Sequence, residues 1–302
     1  MRVDGHRIAP FAMFVSAAQL PWWSKGPQSQ ADVVSAAADA GYEGFQLHQP
    51  ALAHTVTEHG LAIRGLGRAD TASAVDRLAC TWSEIGADSV SVHLGTGFER
   101  DPEANRLVES LLEAQQRRGI EMLLETHRAT ITQDPARTIG LAEKFPELRF
   151  TSDLSHWYTG VEMRYGDFER KLELISSVLS RVRMTHGRIG DPGCVQVTVD
   201  AADRSLHVAD FRRMWTRSFA GHISDPMAAT DVVFAPELLP SSMHYARTVR
   251  DPADGQRREE SDRWEQALVL IKIARECLQD AIRNVEAAAL APHQPEGAVS
   301  QR

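Results

Sequence analysis

At 302 residues, with 43% hydrophobic and 25% charged residues, the chain has an ordinary globular composition and enough apolar side chains for a sizeable core. No apolar run reaches the roughly 18 to 20 residues of a membrane span, and 41 acidic against 33 basic residues, a net charge of −8, disfavour loose binding to nucleic acid or an anionic membrane. Cys80, Cys194 and Cys277 are far apart and odd in number, which suits neither a disulfide framework nor a thiolate zinc knuckle, and the start lacks an export cleavage pattern, so a cytoplasmic location is expected.

Residues 8–17 (IAPFAMFVSA) read as a buried strand and 31–40 as a helix stopped by Gly41. A second strand at 43–48 (EGFQLH), a short helical segment near 51–58 and a third strand at 61–66 follow, then a helix over about 72–85. Strand four at 89–94 (SVSVHL) closes on Gly95 and Gly97. Pro102 opens a helix at its first turn, and Leu107, Leu111, Leu112 and Ala114 give that helix an apolar face down to Gly119. The second half repeats the rhythm, with strand five at 121–125, a helix at 135–144, strand six at 148–153, a helix at 168–179 and strand seven at 182–186. A stretch rich in Gly, Asp and Pro then spans 187–230, with a short helix expected at 211–219, before strand eight at 231–237 (DVVFAPE) and a long amphipathic helix at 264–285.

Eight short apolar strands separated by helical segments are the count that a closed parallel barrel requires, so the expected fold class is α/β, a (β/α)8 TIM barrel in a single domain over 1–287. The connection between strands seven and eight exceeds a plain crossover, and a long loop insertion covering the barrel mouth is expected there. Residues 288–302 turn to Ala, Pro, Gln and Gly, the composition of a disordered tail.

In such a barrel every strand points its C-terminal end at one face, so polar residues ending different strands converge. The last four strands end in Glu125, Asp153, His186 and Glu237. Any one of these would ordinarily be a helix cap or a surface ion pair. Together, three carboxylates and an imidazole repel one another unless a cation sits among them, and one divalent metal ion resolves the conflict. Hard oxygen ligands with one nitrogen suit Mn²⁺ first, and Mg²⁺, Co²⁺ or Zn²⁺ as alternatives. A divalent ion holding a substrate carbonyl and its neighbouring hydroxyl acidifies the carbon-bound proton and stabilises an enediolate; one glutamate removes the proton and the other returns it from the opposite side. Return to the same carbon epimerises, and return to the neighbouring carbon moves the carbonyl.

In order and spacing, the segments ETHR (125–128), SDLSHW (152–157), THGRIG (185–190) and APELLP (235–240) resemble the xylose isomerase-like TIM barrel superfamily. That superfamily comprises sugar phosphate isomerases/epimerases and AP endonuclease-type enzymes, and the resemblance runs over roughly residues 5–285. It implies metal ligands at Glu125, Asp153, His186 and Glu237, with Glu125 and Glu237 also moving protons. It further implies a substrate-contacting histidine at His156, for which orienting Asp153 is an equal alternative. Arg188 is placed to bind a substrate oxygen or phosphate. The better-known epimerases carry a glutamate there and an arginine further on, which points away from their free ketohexose substrate.

Around this set, His127 is either a substrate contact or a support for the ligands, and His93 and His48 end strands that face the mouth. Trp157, like Trp22 and Trp23, offers an aromatic face to sugar C–H groups or packs a loop. Gln196 and Tyr245 are candidates to complete a polar pocket. The leading expectation is a metal-dependent isomerase or epimerase of carbohydrate metabolism, acting on a small polyhydroxylated carbonyl compound. Alternatives are an inosose dehydratase-like enzyme on the same scaffold, an AP endonuclease-like phosphodiesterase, which the acidic balance disfavours, and a barrel that has lost catalysis. The expected partner is a small-molecule substrate, with neither nucleic acid nor membrane, and a homodimer through the last helix is a candidate assembly.

Overall fold

The computed structural model describes residues 2–3, 6–7, 13–19 and 29–290. Trp22 and Trp23, residues 8–12 of the first expected strand and 291–302 of the expected tail lie outside the described residues. Eight strands pair side by side in sequence order: β1 Met13–Gln19, β2 Gly44–Leu47, β3 Ala62–Ala69, β4 Ser89–Leu94, β5 Glu121–Glu125, β6 Arg149–Ser152, β7 Val182–Gly187 and β8 Asp231–Pro236. All pairs are parallel, and β8 closes on β1 with Asp231 opposite Met13, which makes the sheet a (β/α)8 barrel.

Three of the helices outside the barrel show clear capping chemistry at their ends. Ser29 opens α1 (Gln30–Asp39) with a capping box to Asp32. After α2 (Ala53–Glu58) and α3 (Ala72–Ile85), Pro102 sits in the first turn of α4 (Asp101–Arg118), where the Glu103 carboxylate accepts the Arg100 N–H. Arg117 and Arg118 lie at the negative end of that helix, and Gly119 stops it at φ 64°, a left-handed conformation that glycine adopts without penalty. Asp134 caps α5 (Pro135–Lys144) by accepting the N–H groups of Ala136 and Arg137.

The second half departs from expectation in three places. A short helix, α6 (Ser155–Gly160), follows strand six directly, because the Asp153 carboxylate accepts the Ser155 N–H at 3.1 Å and turns the chain. The helix expected over 168–179 is two pieces, α7 (Phe168–Leu174) and α8 (Ser176–Leu179). The stretch between β7 and β8 holds a full crossover helix, α9 (Leu206–Ser224), so only 188–205 is irregular before it. Val208, Phe211, Met214, Trp215, Phe219 and Ile223 form its buried face, but Asp210, Ser218 and His222 share that face and obscure the period in the sequence. After β8 the chain makes a small antiparallel ribbon, Thr248–Arg250 against Arg257–Glu259, and ends in α10 (Arg263–Leu290), which packs on α9.

The apolar interior has two parts. A large shell between strands and helices includes Trp82, Trp157, Trp215, Phe150 and Phe234, while Ala17, Leu123, Met184, Val233 and Ala235 fill the barrel axis. Packing at the end of β7 is close enough that a Cβ on Gly187 would meet the Phe234 ring, so this strand must leave the barrel through a glycine. No helix among the described residues is long and apolar enough to cross a membrane.

Candidate metal centre at the barrel mouth

Side chains alternate along a strand, so a residue two positions after an inward-facing one also faces the axis. Leu123, Met184 and Ala235 occupy the axis. Two residues on, at the C-terminal ends of their strands, come Glu125, His186 and Glu237, and Asp153 follows Thr151 in the same way. These four residues each offer a ligand atom, and the four atoms lie within 4.8 Å of one another. Glu125, Asp153 and His186 are 0% exposed and Glu237 4%, so the cluster is sealed from bulk water. His93, Glu125 and His127 form a second group that meets the same distance limit, with Glu125 common to both.

The imidazole of His186 is held from below. Its Nε2 is 2.8 Å from Gln46 Oε1, while Gln46 Nε2 donates to Ser91 Oγ at 3.0 Å, and Ser91 Oγ lies 2.6 Å from Thr151 Oγ1. With Nε2 engaged by an acceptor, Nδ1 faces the carboxylates, 3.3 Å from Glu125 Oε1 and 3.2 Å from Glu237 Oε2. Asp153 Oδ1 accepts the Ser155 hydroxyl at 2.6 Å. Its Oδ2 and Glu237 Oε2 both lie 2.5 Å from Arg188 Nη2, so one guanidinium nitrogen bridges two members of the cluster. The Arg188 guanidinium and that of Arg128 each stand 4.6 Å from the centre of the Tyr245 ring.

Burial and neighbouring charge oppose each other at the four donors, and charge prevails at each of them. Burial would raise the Glu125 carboxyl, but His93 and His186 hold it well below the usual carboxylate range. Against the same penalty, Arg188 and His156 hold Asp153 well below that range, and His186 and Arg188 lower Glu237. Burial would neutralise His186, yet Glu125 and Glu237 raise it well above an ordinary histidine. His127 is the contrary case: burial and the neighbouring His156 push it down to about 3.

These contacts amend one expectation. Three carboxylates need a compensating charge, and Arg188 with His186 supplies much of it from within the chain. The donor set nevertheless fits a divalent ion. Glu125 Oε2 is buried without a hydrogen-bond partner, a condition that costs about 1–3 kcal/mol or more for a charged group. A cation shared with His186 Nδ1 and the two other carboxylates would satisfy it.

The remaining expected residues separate into those that face the cluster and those that do not. His93 Nε2 lies 2.9 Å from Glu125 Oε1, and His156 Nε2 lies 3.3 Å from Asp153 Oδ2. His127 links the two, its ring 4.2 Å from that of His93 and 4.0 Å from that of His156. His48 is exposed at the surface, though the protein around its ring displaces enough water to lower its pKa against the pull of Glu237. Gln196 is committed elsewhere, exchanging two hydrogen bonds with the backbone of Leu239 and so clasping the loops after β7 and β8.

Trp157 does not fit a substrate-contacting role. It is 0% exposed, belongs to the outer apolar shell, and donates its indole N–H to the Thr132 carbonyl at 2.8 Å, because the turn of α6 aims it away from the mouth. Trp157→Phe should therefore cost about 1–3 kcal/mol, from lost packing volume and from a buried carbonyl left with only the Thr138 hydroxyl at 3.3 Å, with turnover little changed. Urea unfolding alongside an activity assay checks this, and a large loss of turnover at unchanged stability would return the indole to the substrate.

Two groups carried no role in the sequence reading. Gln46 is the lone amide in the otherwise apolar run GFQL, whereas nothing in ETHR reveals that Arg128 stands over Tyr245.

No family model matches the sequence, and neither does any curated protein. Solved structures do match its fold. An L-ribulose 3-epimerase superposes with a TM-score of 0.59 at 14% identity, covering 93% of this chain and 99% of that one. A xylose isomerase-like TIM barrel protein from Mycobacterium smegmatis in complex with magnesium gives 0.55 at 11% identity, covering 91% and 99%. A probable 3-DHS dehydratase from Bacillus anthracis, involved in petrobactin synthesis, gives 0.50 at 15% identity, covering 74% and 92%.

Proposed function

We propose that this chain, which has the fold of the xylose isomerase-like barrels, is a divalent-metal-dependent isomerase or epimerase of a small sugar or polyhydroxy carbonyl compound. The observation that carries the proposal is the convergence of Glu125, Asp153, His186 and Glu237, from the ends of four consecutive strands, into one buried set of ligand atoms within 4.8 Å. Those four residues would hold the ion, Mn²⁺ in the first instance, with Mg²⁺, Co²⁺ or Zn²⁺ as alternatives. Bound there, the ion would supply Lewis-acid polarisation of a substrate carbonyl.

The protein's own groups do the rest. Glu125 and Glu237 are held ionised, and each can take a proton from carbon and give it back. Arg188 Nε and Nη1 are buried with no protein acceptor, so both can donate to substrate oxygens. His93, His127 and His156 form one row of rings beside Tyr245 and Arg128, with His93 at its end holding Glu125.

Dehydration on the same scaffold is the second reading, and the fold match to a probable dehydratase favours keeping it. One experiment separates them. The chain is incubated with Mn²⁺ in deuterated water against keto sugars, sugar phosphates and inososes. Deuterium entering a substrate carbon with no loss of water supports isomerisation or epimerisation, loss of water supports dehydration, and no exchange into any compound of the panel defeats both.

A further inference from the structure

We infer that Arg188 is the resident cation of the carboxylate cluster, and that it sets how tightly the cluster holds a divalent ion by occupying Asp153 and Glu237 until the ion displaces it. The inference rests on the proposed metal-dependent reading and extends it by naming the group with which the ion competes.

Arg188 stands one residue beyond β7, and its side chain is fully buried. Its Nη2 contacts Asp153 Oδ2 and Glu237 Oε2 at 2.5 Å each, and both residues belong to the four-membered donor set. A guanidinium does not give up its proton in a protein, so its charge is permanent. An incoming divalent ion has two ways to bind. It settles for Glu125 and His186 beside a like charge at close range, or it drives the guanidinium off Asp153 and Glu237 and gains the full set. Either way the arginine opposes the ion, because like charges a few ångströms apart in a buried site repel strongly.

The surroundings suit a side chain that can move. Nε and Nη1 have no hydrogen-bond partner, so the hydrogen bonds that Arg188 gives up on leaving its seat are those made by Nη2. The ring of Tyr245, a partly exposed residue in the connection after β8, covers the guanidinium at 4.6 Å, so displacement of Arg188 must also move Tyr245. The same bridge neutralises two carboxylates that would otherwise repel, and so keeps the ligand residues gathered for an arriving ion.

The test is Mn²⁺ binding to the full chain after chelator treatment, measured by titration calorimetry and by the melting temperature with and without the ion. Arg188→Gln should bind Mn²⁺ at least about tenfold more tightly than the unaltered protein, because the competing charge is gone. Its metal-free form should melt lower, and Mn²⁺ should raise its melting temperature by the larger increment. Arg188→Lys, which keeps the charge, should stay near the unaltered affinity. If Arg188→Gln does not fold without the ion, Tyr245→Ala carries the test: it removes the cover but not the charge and should tighten Mn²⁺ binding by a smaller factor. Equal or weaker binding by Arg188→Gln, or by Tyr245→Ala where only that variant folds, overturns the inference while leaving the metal reading in place. Failure of both the unaltered protein and Arg188→Gln to take up Mn²⁺, Mg²⁺, Co²⁺ or Zn²⁺ removes the metal reading and the inference with it.

Discussion

Glu237→Gln should lower turnover by roughly 10²- to 10⁴-fold, the loss that accompanies removal of a positioned general acid–base group, while the fold survives. The amide has the volume of the carboxyl and can still accept from Arg188 at the oxygen that now lies 2.5 Å from Nη2. It cannot take a proton from carbon or offer a full negative charge to a cation. Because Glu237 is buried and held ionised by His186 and Arg188, the substitution removes charge from the place where the proposed reaction needs it. A circular dichroism spectrum matching the unaltered protein, together with solvent-exchange rates on an identified substrate, checks both halves. Turnover within tenfold of the unaltered enzyme would remove Glu237 from the chemistry.

Asp210→Ala is expected to cost about 2–4 kcal/mol, toward the lower end of the loss caused by deleting one partner of a buried polar network. Asp210 lies on the buried face of α9, accepts the Tyr158 hydroxyl at 2.8 Å and receives Arg164 Nη1 at 3.0 Å on both carboxylate oxygens. Tyr158 is fully buried, so its hydroxyl would be stranded; Arg164 is about one-third exposed and regains water, which moderates the loss. The position matters beyond stability because Tyr158 lies on α6, the short helix that carries His156 and follows Asp153. Loosening that helix should also weaken ligand binding at the mouth. Urea unfolding with an unchanged m-value measures the first effect, and a cost below about 1 kcal/mol would show that α6 is anchored by other contacts.

Much of the barrel was legible in the sequence because its strands obey simple rules. Short apolar runs bounded by glycine or by polar clusters mark β2 to β8, and the two-residue period carries Glu125, Asp153, His186 and Glu237 to the inward face once the strand ends are known. The illegible part depends on packing between segments remote along the chain. The full length of α9 is hidden because Asp210, Ser218 and His222 place polar groups on its buried face, while its arginines find carboxylate partners on α7 and α10: Arg213 with Glu169, Arg217 with Glu173 and Arg212 with Glu276. The orientation of Trp157 depends on a helical turn that Asp153 itself initiates. Arg188 leaves its strand through Gly187, so its path back to Asp153 and Glu237 belongs to the tertiary structure and not to any local pattern.

Every member of the four-residue donor set comes from β5 to β8, whereas β1 to β4 contribute the props Gln46, Ser91 and His93. The two halves of the cylinder are thus unequal in what they stake on the proposed reaction. The loops after β1 and β2 carry none of the four donors, so under the proposed function a change of side chains there can alter which substrate is accepted while the donor set stays in place.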